Sequence, residues 1–137
     1  MRDQFTKLAE KYLVLTEAEK RSEIIHDFIE FAIKELGIEG DVPEIVINTQ
    51  PGFAPTYKTY GMASPRGIVV SIYNRALGDV LRTLGHELVH IKQFETQETV
   101  DGSTGSEDEN KANSEAGVLL RKYGKAHPNV YTIVDDE

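Results

Sequence analysis

Residues 85–95 read GHELVHIKQFE: two histidines stand four positions apart, with a glutamate directly after the first. Around them, Leu77, Val80, Leu81, Leu84, Leu88 and Ile91 recur at the spacing of a helix, which predicts one from about Arg75 to Phe94. An α-helix turns roughly 100° per residue, so those six side chains form one stripe, and His86, His90 and Gln93 fall almost opposite. A surface helix would carry Lys and Glu there; this one carries paired imidazoles. One turn apart on one face, both rings can reach a single tetrahedral zinc. Glu87 points to a neighbouring face, placed to act on a water beside the metal without ligating it, which is the geometry the HExxH pattern encodes.

The sequence before this helix is richer in strand formers. RGIVVSIY (66–73) puts Ile68, Val70 and Ile72 on one face, and EIVINT (44–49) is a second strand candidate. Between them, PGFAPTYKTYGM is broken at its start by two prolines and a glycine. Its second half, Tyr57 to Met62, is expected to be a strand that turns back through residues 63–67. The expected sheet has about three strands and is mostly antiparallel. Further upstream, Phe5, Leu8, Ala9, Tyr12 and Leu13 predict a helix over 3–14. Thr16 and Glu19 then form a capping-box pattern opening a helix over 17–36, whose stripe of Ile24, Ile25, Phe28, Ala32 and Leu36 ends at Gly37.

Beyond the histidines, ETQETVDGSTGSE (95–107) reads as a loop, either a lid or a plain connector. A last helix is expected over 107–123 with Gly124 as its stop, and the tail HPNVYTIVDDE adds at most a short strand. The expectation is one α+β domain over 1–137, with a helical N-terminal region at 1–40 and the chemistry within 66–123.

Composition narrows the chemistry. There is no cysteine among 137 residues, which excludes disulfides, thiolate metal sites and a cysteine nucleophile. A metal here must sit on histidine and carboxylate. The formal net charge of −8, with no run of Lys or Arg, argues against nucleic acid as a partner. The charges interleaved in MRDQFTKLAEKYLVL are unlike a signal peptide, and no segment approaches a membrane span, so the expected compartment is the cytoplasm.

A catalytic zinc usually has three protein ligands. Glu107, Asp108, Glu109 and Glu115 are the candidates for the third. Stepping from Glu109 at helical spacing meets Ala112, Ala116, Leu119, Leu120 and Tyr123, an inward stripe, so Glu109 heads the buried face. A carboxylate pointing inward needs a partner. The alternative is that Glu109 only closes a capping box with Ser106.

HELVH, eighteen residues, then ENKAN resembles the gluzincin metallopeptidases, and ENKANSEAGVLL is similar to a run in the minimal ImmA/IrrE-like peptidases of phages and mobile elements. The likeness spans about 66–123 and reaches none of the first 40 residues. It implies a small zincin-like fold, zinc on His86, His90 and Glu109, Glu87 as general base, and Asn113 supporting the site. It also implies a peptide substrate, paired along the 66–73 strand if that strand is an edge, and the host cytoplasm as the compartment if the chain is phage-encoded. Tyr123, His127, Tyr131, Tyr60 and Tyr73 are open candidates for stabilising the oxyanion. Two other functions remain in view: a non-catalytic zinc-stabilised domain that binds a protein partner, and a zinc amidase acting on cell-wall crosslinks.

Overall fold

The computed structural model describes residues 17–41 and 43–128. The expected helix at 3–14, the Thr16 cap and the expected tail strand lie outside them. The described elements run α1 (Glu17–Leu36), β1 (Glu44–Asn48), α2 (Phe53–Tyr57), β2 (Gly61–Ser64), β3 (Gly67–Ser71), α3 (Leu77–Thr96) and α4 (Glu107–Ala126). Together they form an α+β arrangement in which α3 packs against α1, α4, β2 and β3.

Helix α1 ends as its sequence signals. Gly37 adopts φ +66°, its N–H donates to Lys34 O, and the Ile38 N–H donates to Ile33 O, closing the last turn. Its apolar side meets the end of α4, where Phe28 and Phe31 pack edge-on to the Tyr123 ring. Tyr123 is fully buried and its hydroxyl donates to Asp27 at 2.7 Å, so burial, aided by that carboxylate, pushes its pKa well above the ordinary range.

The sheet is mixed, in the order β1-β3-β2, which corrects the expectation of a mostly antiparallel one. β2 and β3 form the antiparallel hairpin, with Ser64 opposite Gly67 and a two-residue turn at Pro65-Arg66. β1 instead runs parallel to β3, Ile45 opposite Ile68 and Ile47 opposite Val70. The parallel pair is possible because a long connection, containing α2 and β2, separates the two strands. At the pair's entry Gly67 leaves no room for a side chain, since a Cβ there would lie 2.2 Å from Glu44 O. Gly67→Ala should therefore destabilise the fold by about 2–4 kcal/mol, read as a lower urea midpoint at an unchanged slope.

Two element boundaries also differ from expectation. The segment expected to become a strand at Tyr57 begins as the short helix α2, because Pro55 lies in a first turn whose N–H groups need no helical partner. Lys58, at φ +56°, ends that helix with its N–H on Ala54 O, and the strand starts only at Gly61. Gly124 does not stop α4: it is buried within the helix, which continues to Ala126. Pro128 explains the end better, since it lacks a donor and biases the preceding residue away from helix.

Candidate metal centre

Helix α3 is buried on more than its apolar stripe, although Asp79, Arg82, Glu95 and Thr96 are exposed. The stripe of Leu77, Val80, Leu81, Leu84, Leu88 and Ile91 is buried as its spacing predicts; His90 and Gln93 on the far side are buried too, and so is Glu87 on a neighbouring face. What covers that second side is α4 and strand β2. Small residues let α4 come close: a Cβ placed on Gly85 would meet the Cα and Cβ of Ala116 at 3.5 Å, ordinary contact that leaves room for a methyl group and little more.

That approach brings the carboxylate of Glu109 to both histidines. His86 Nε2 lies 3.2 and 3.1 Å from the two Glu109 oxygens, and His90 Nε2 lies 3.0 Å from Oε1. His86, Glu87 and His90 also have ligand atoms within 4.8 Å of one another, a group that could hold a metal ion. Of the other acids considered, Glu107 is exposed, and Asp108 is engaged elsewhere, accepting from the Gln97 amide at 2.9 Å and the Asp101 N–H at 2.8 Å. The capping box forms only by half. Ser106 Oγ accepts from the Glu109 N–H, but the Ser106 N–H donates to Ser103 O, which leaves the Glu109 side chain to the histidines.

Each ring has a further partner. The Asn113 side chain lies beside His86, where it favours the charged ring. His90 Nδ1 lies 2.7 Å from Gln93 Oε1, and the same Gln93 donates its Nε2 to Asp108 O at 3.0 Å. Gln93 thus links the histidine helix to the first turn of α4, a role the sequence showed only as a polar residue on the histidine face. Partners of this kind orient a ligand and fix its tautomer. Gln93→Leu should weaken metal binding by roughly 10–100-fold while keeping the fold, measured by competition with a chelator.

Electrostatics separate the groups. Burial pushes the Glu87 carboxyl up to about 7, with Glu109 adding to the rise and His90 opposing it. Burial lowers His86, against the pull of Glu109. Glu87 is 6% exposed, and among the described residues its carboxylate makes no hydrogen bond. An unsatisfied buried carboxylate is costly. Room for it comes from Gly61 of β2, where a Cβ would lie 2.8 Å from Glu87 Oε2 and 2.7 Å from Thr83 Cγ2. Nothing local in the sequence marks that glycine.

The cavity above these groups is about 380 Å³ and is bordered by Thr59, Met62, Phe94 and Val100. Val100 and Gly102 belong to the loop after α3, which is tied to α4 by Asp108 and by Ser106 Oγ donating to Asp101 O. A larger hollow of about 970 Å³ lies between α1 and β1, lined by isoleucines that include Ile25, Ile29, Ile45 and Ile47. The cluster able to hold a metal is in the smaller cavity, and convergent polar groups rather than volume identify a chemical site.

Several expected contributors lie elsewhere. Tyr123 points to Asp27, and His127 stacks on Tyr123 with its Nε2 3.4 Å from the same carboxylate, so neither reaches the site. Tyr131 lies outside the described residues, and Tyr60 and Tyr73 line a neighbouring cleft. The 66–73 strand does not offer a free edge: β3 is the middle strand, hydrogen-bonded on both sides, and β2 is the outer strand beside the cavity. No helix among the described residues is long and apolar enough to cross a membrane. Compared with protein-family models, with curated proteins and with solved structures, the chain matches none.

Proposed function

We propose that this chain is a zinc-dependent peptidase of the gluzincin kind, holding zinc on His86, His90 and Glu109. The observation that carries the reading is the hydrogen-bond order around His90. The Gln93 amide nitrogen is committed to Asp108 O, so its oxygen faces His90 Nδ1, and that nitrogen carries the ring proton. In the neutral ring Nε2 is then an acceptor, and it faces another acceptor, Glu109 Oε1, at 3.0 Å. Two acceptors aimed at each other in a largely buried place call for a cation between them, a ring proton or a metal ion; that both rings face the one carboxylate favours a shared metal ion. Two imidazoles and a carboxylate, in a chain without cysteine, suit zinc.

Bound there, zinc would supply Lewis acidity and a nucleophilic water at neutral pH. The chain's own groups do the rest. Glu87, held near neutrality by burial, takes a proton from the attacking water and returns it to the leaving amine. That its carboxylate makes no hydrogen bond among the described residues favours this role over a purely structural zinc site, which has no use for a buried, unpaired glutamate. Gln93 and Asn113 hold the rings, and the edge of β2, which no other strand covers among the described residues, offers backbone groups to an extended peptide.

The test is hydrolysis of a panel of internally quenched peptides by the full chain loaded with zinc. Cleavage that stops with a chelator and returns with added zinc is the expected result. A protein that binds one zinc and cleaves none of the panel would sink the peptidase reading.

A further inference from the structure

Next to the metal cavity lies a second concavity of about 650 Å³, and Thr59 borders both. Its walls are unusual for this molecule. The chain carries 23 acidic residues against 15 basic ones, yet Lys58 and Arg75 line this cleft and no Asp or Glu does. Tyr60 and Tyr73 face it while remaining 51% and 52% exposed. Half-exposed tyrosines are a common ingredient of binding surfaces, since the ring gives contact area at little entropic loss.

The cleft is also held in shape. The Arg75 guanidinium lies 4.1 Å over the Tyr60 ring and donates to Ser71 O, Asp79 O and Thr83 Oγ1, so it supplies a fixed positive charge, partly offset by the Asp79 carboxylate, rather than a free fork. Among the described residues, the two non-glycine residues at positive φ, Lys58 at +56° and Asn74 at +53°, both border it. Such conformations are unfavourable for residues with a Cβ and persist where the surroundings enforce them.

We propose that this cleft is a substrate subsite that selects an acidic side chain of the peptide, a carboxylate met by Lys58 in the field of Arg75 and flanked by the Tyr60 and Tyr73 rings. The proposal rests on the peptidase reading for its register. Tyr60 directly precedes Gly61, which abuts Glu87, and a strand rises about 3.3 Å per residue. The selected residue therefore lies about two or three positions from the bond that is cut.

The test uses binding as well as cleavage. Blocked octapeptides of Ala and Leu carrying Glu-Glu, Gln-Gln or Lys-Lys are titrated into the isotope-labelled full chain without metal, and the same peptides are offered to the zinc form. The Glu-Glu peptide is expected to bind about fivefold more tightly than Gln-Gln. Its shifts should centre on residues 58, 60 and 73, and the preference should fade in molar salt. Lys58→Glu should turn the preference towards Lys-Lys, and Tyr73→Ala should weaken the Glu-Glu and Gln-Gln peptides alike. Equal affinities for the three peptides, or shifts centred away from the cleft, overturn the proposal. Binding with the expected preference but no cleavage leaves the subsite standing and removes the peptidase reading; cleavage without charge preference does the reverse.

Discussion

Glu87→Gln is expected to keep zinc and lose hydrolysis, by roughly 10²–10⁴-fold in kcat, the range a positioned general base contributes. The amide keeps the shape of the carboxylate, so the notch at Gly61 still accommodates it, but it cannot take a proton from water. A matching zinc content with unchanged activity would remove Glu87 from the mechanism. The same substitution has a second signature that needs no substrate. In the metal-free protein the Glu87 pKa is raised to about 7 from an ordinary 4.5, so the folded state binds this proton more tightly than the unfolded state does. Its contribution is fully present below about pH 4.5 and is lost as pH rises through 7. The full loss is on the order of 3 kcal/mol. Gln removes that loss, so the variant should gain stability over wild type as pH rises from 5 to 8. A constant difference in melting temperature across that interval would contradict the burial argument.

The second large effect is expected at Glu109. Glu109→Ala should lower zinc affinity by more than the roughly 10–100-fold that follows loss of an outer partner, because a ligand itself is removed. The helix should survive, since the Ser106 cap uses the Glu109 backbone N–H and not its side chain. The contrast is visible in heat. A ligand present at a hundred times its Kd adds about 2.7 kcal/mol to stability. For a chain of this size that is about 10 °C in Tm. Zinc should therefore raise the melting temperature of wild type and leave Glu109→Ala nearly unmoved. A variant that keeps stoichiometric zinc places the third ligand elsewhere.

Much of this arrangement was legible from one dimension because it depends on helical periodicity. The α3 stripe, the inward row Ala112, Ala116, Leu119 and Tyr123, and the placing of Glu109 at its head all follow from a turn of 3.6 residues, and all are buried or half-buried as that predicts. Strand pairing is different, because which strands meet is decided by packing across the chain. β1 and β3 look alike as isolated apolar runs, and nothing in either says that they run parallel with β2 outside them. The start of β2 was misplaced because Lys58 takes a left-handed conformation that its residue type does not advertise. Gln93 and Gly61 escaped for a related reason. Each matters through a contact with another element, Asp108 O in one case and the Glu87 carboxylate in the other.

The seam between α3 and α4 has one more consequence. The approach of the two helices that carry the imidazoles and the carboxylate is closest away from the donors themselves, where Gly85 faces Ala116 with room for a methyl group and little more. That gap works as a gauge: a side chain larger than a methyl group would have to push the helices, and the donors they carry, apart. Zinc bonds to nitrogen and oxygen span about 2.0–2.2 Å and calcium bonds about 2.3–2.6 Å. A difference of a few tenths of an ångström is smaller than a single methylene. The choice of ion would then be written partly in residues that never touch it, and a bulkier side chain at position 85 would retune the site from a distance.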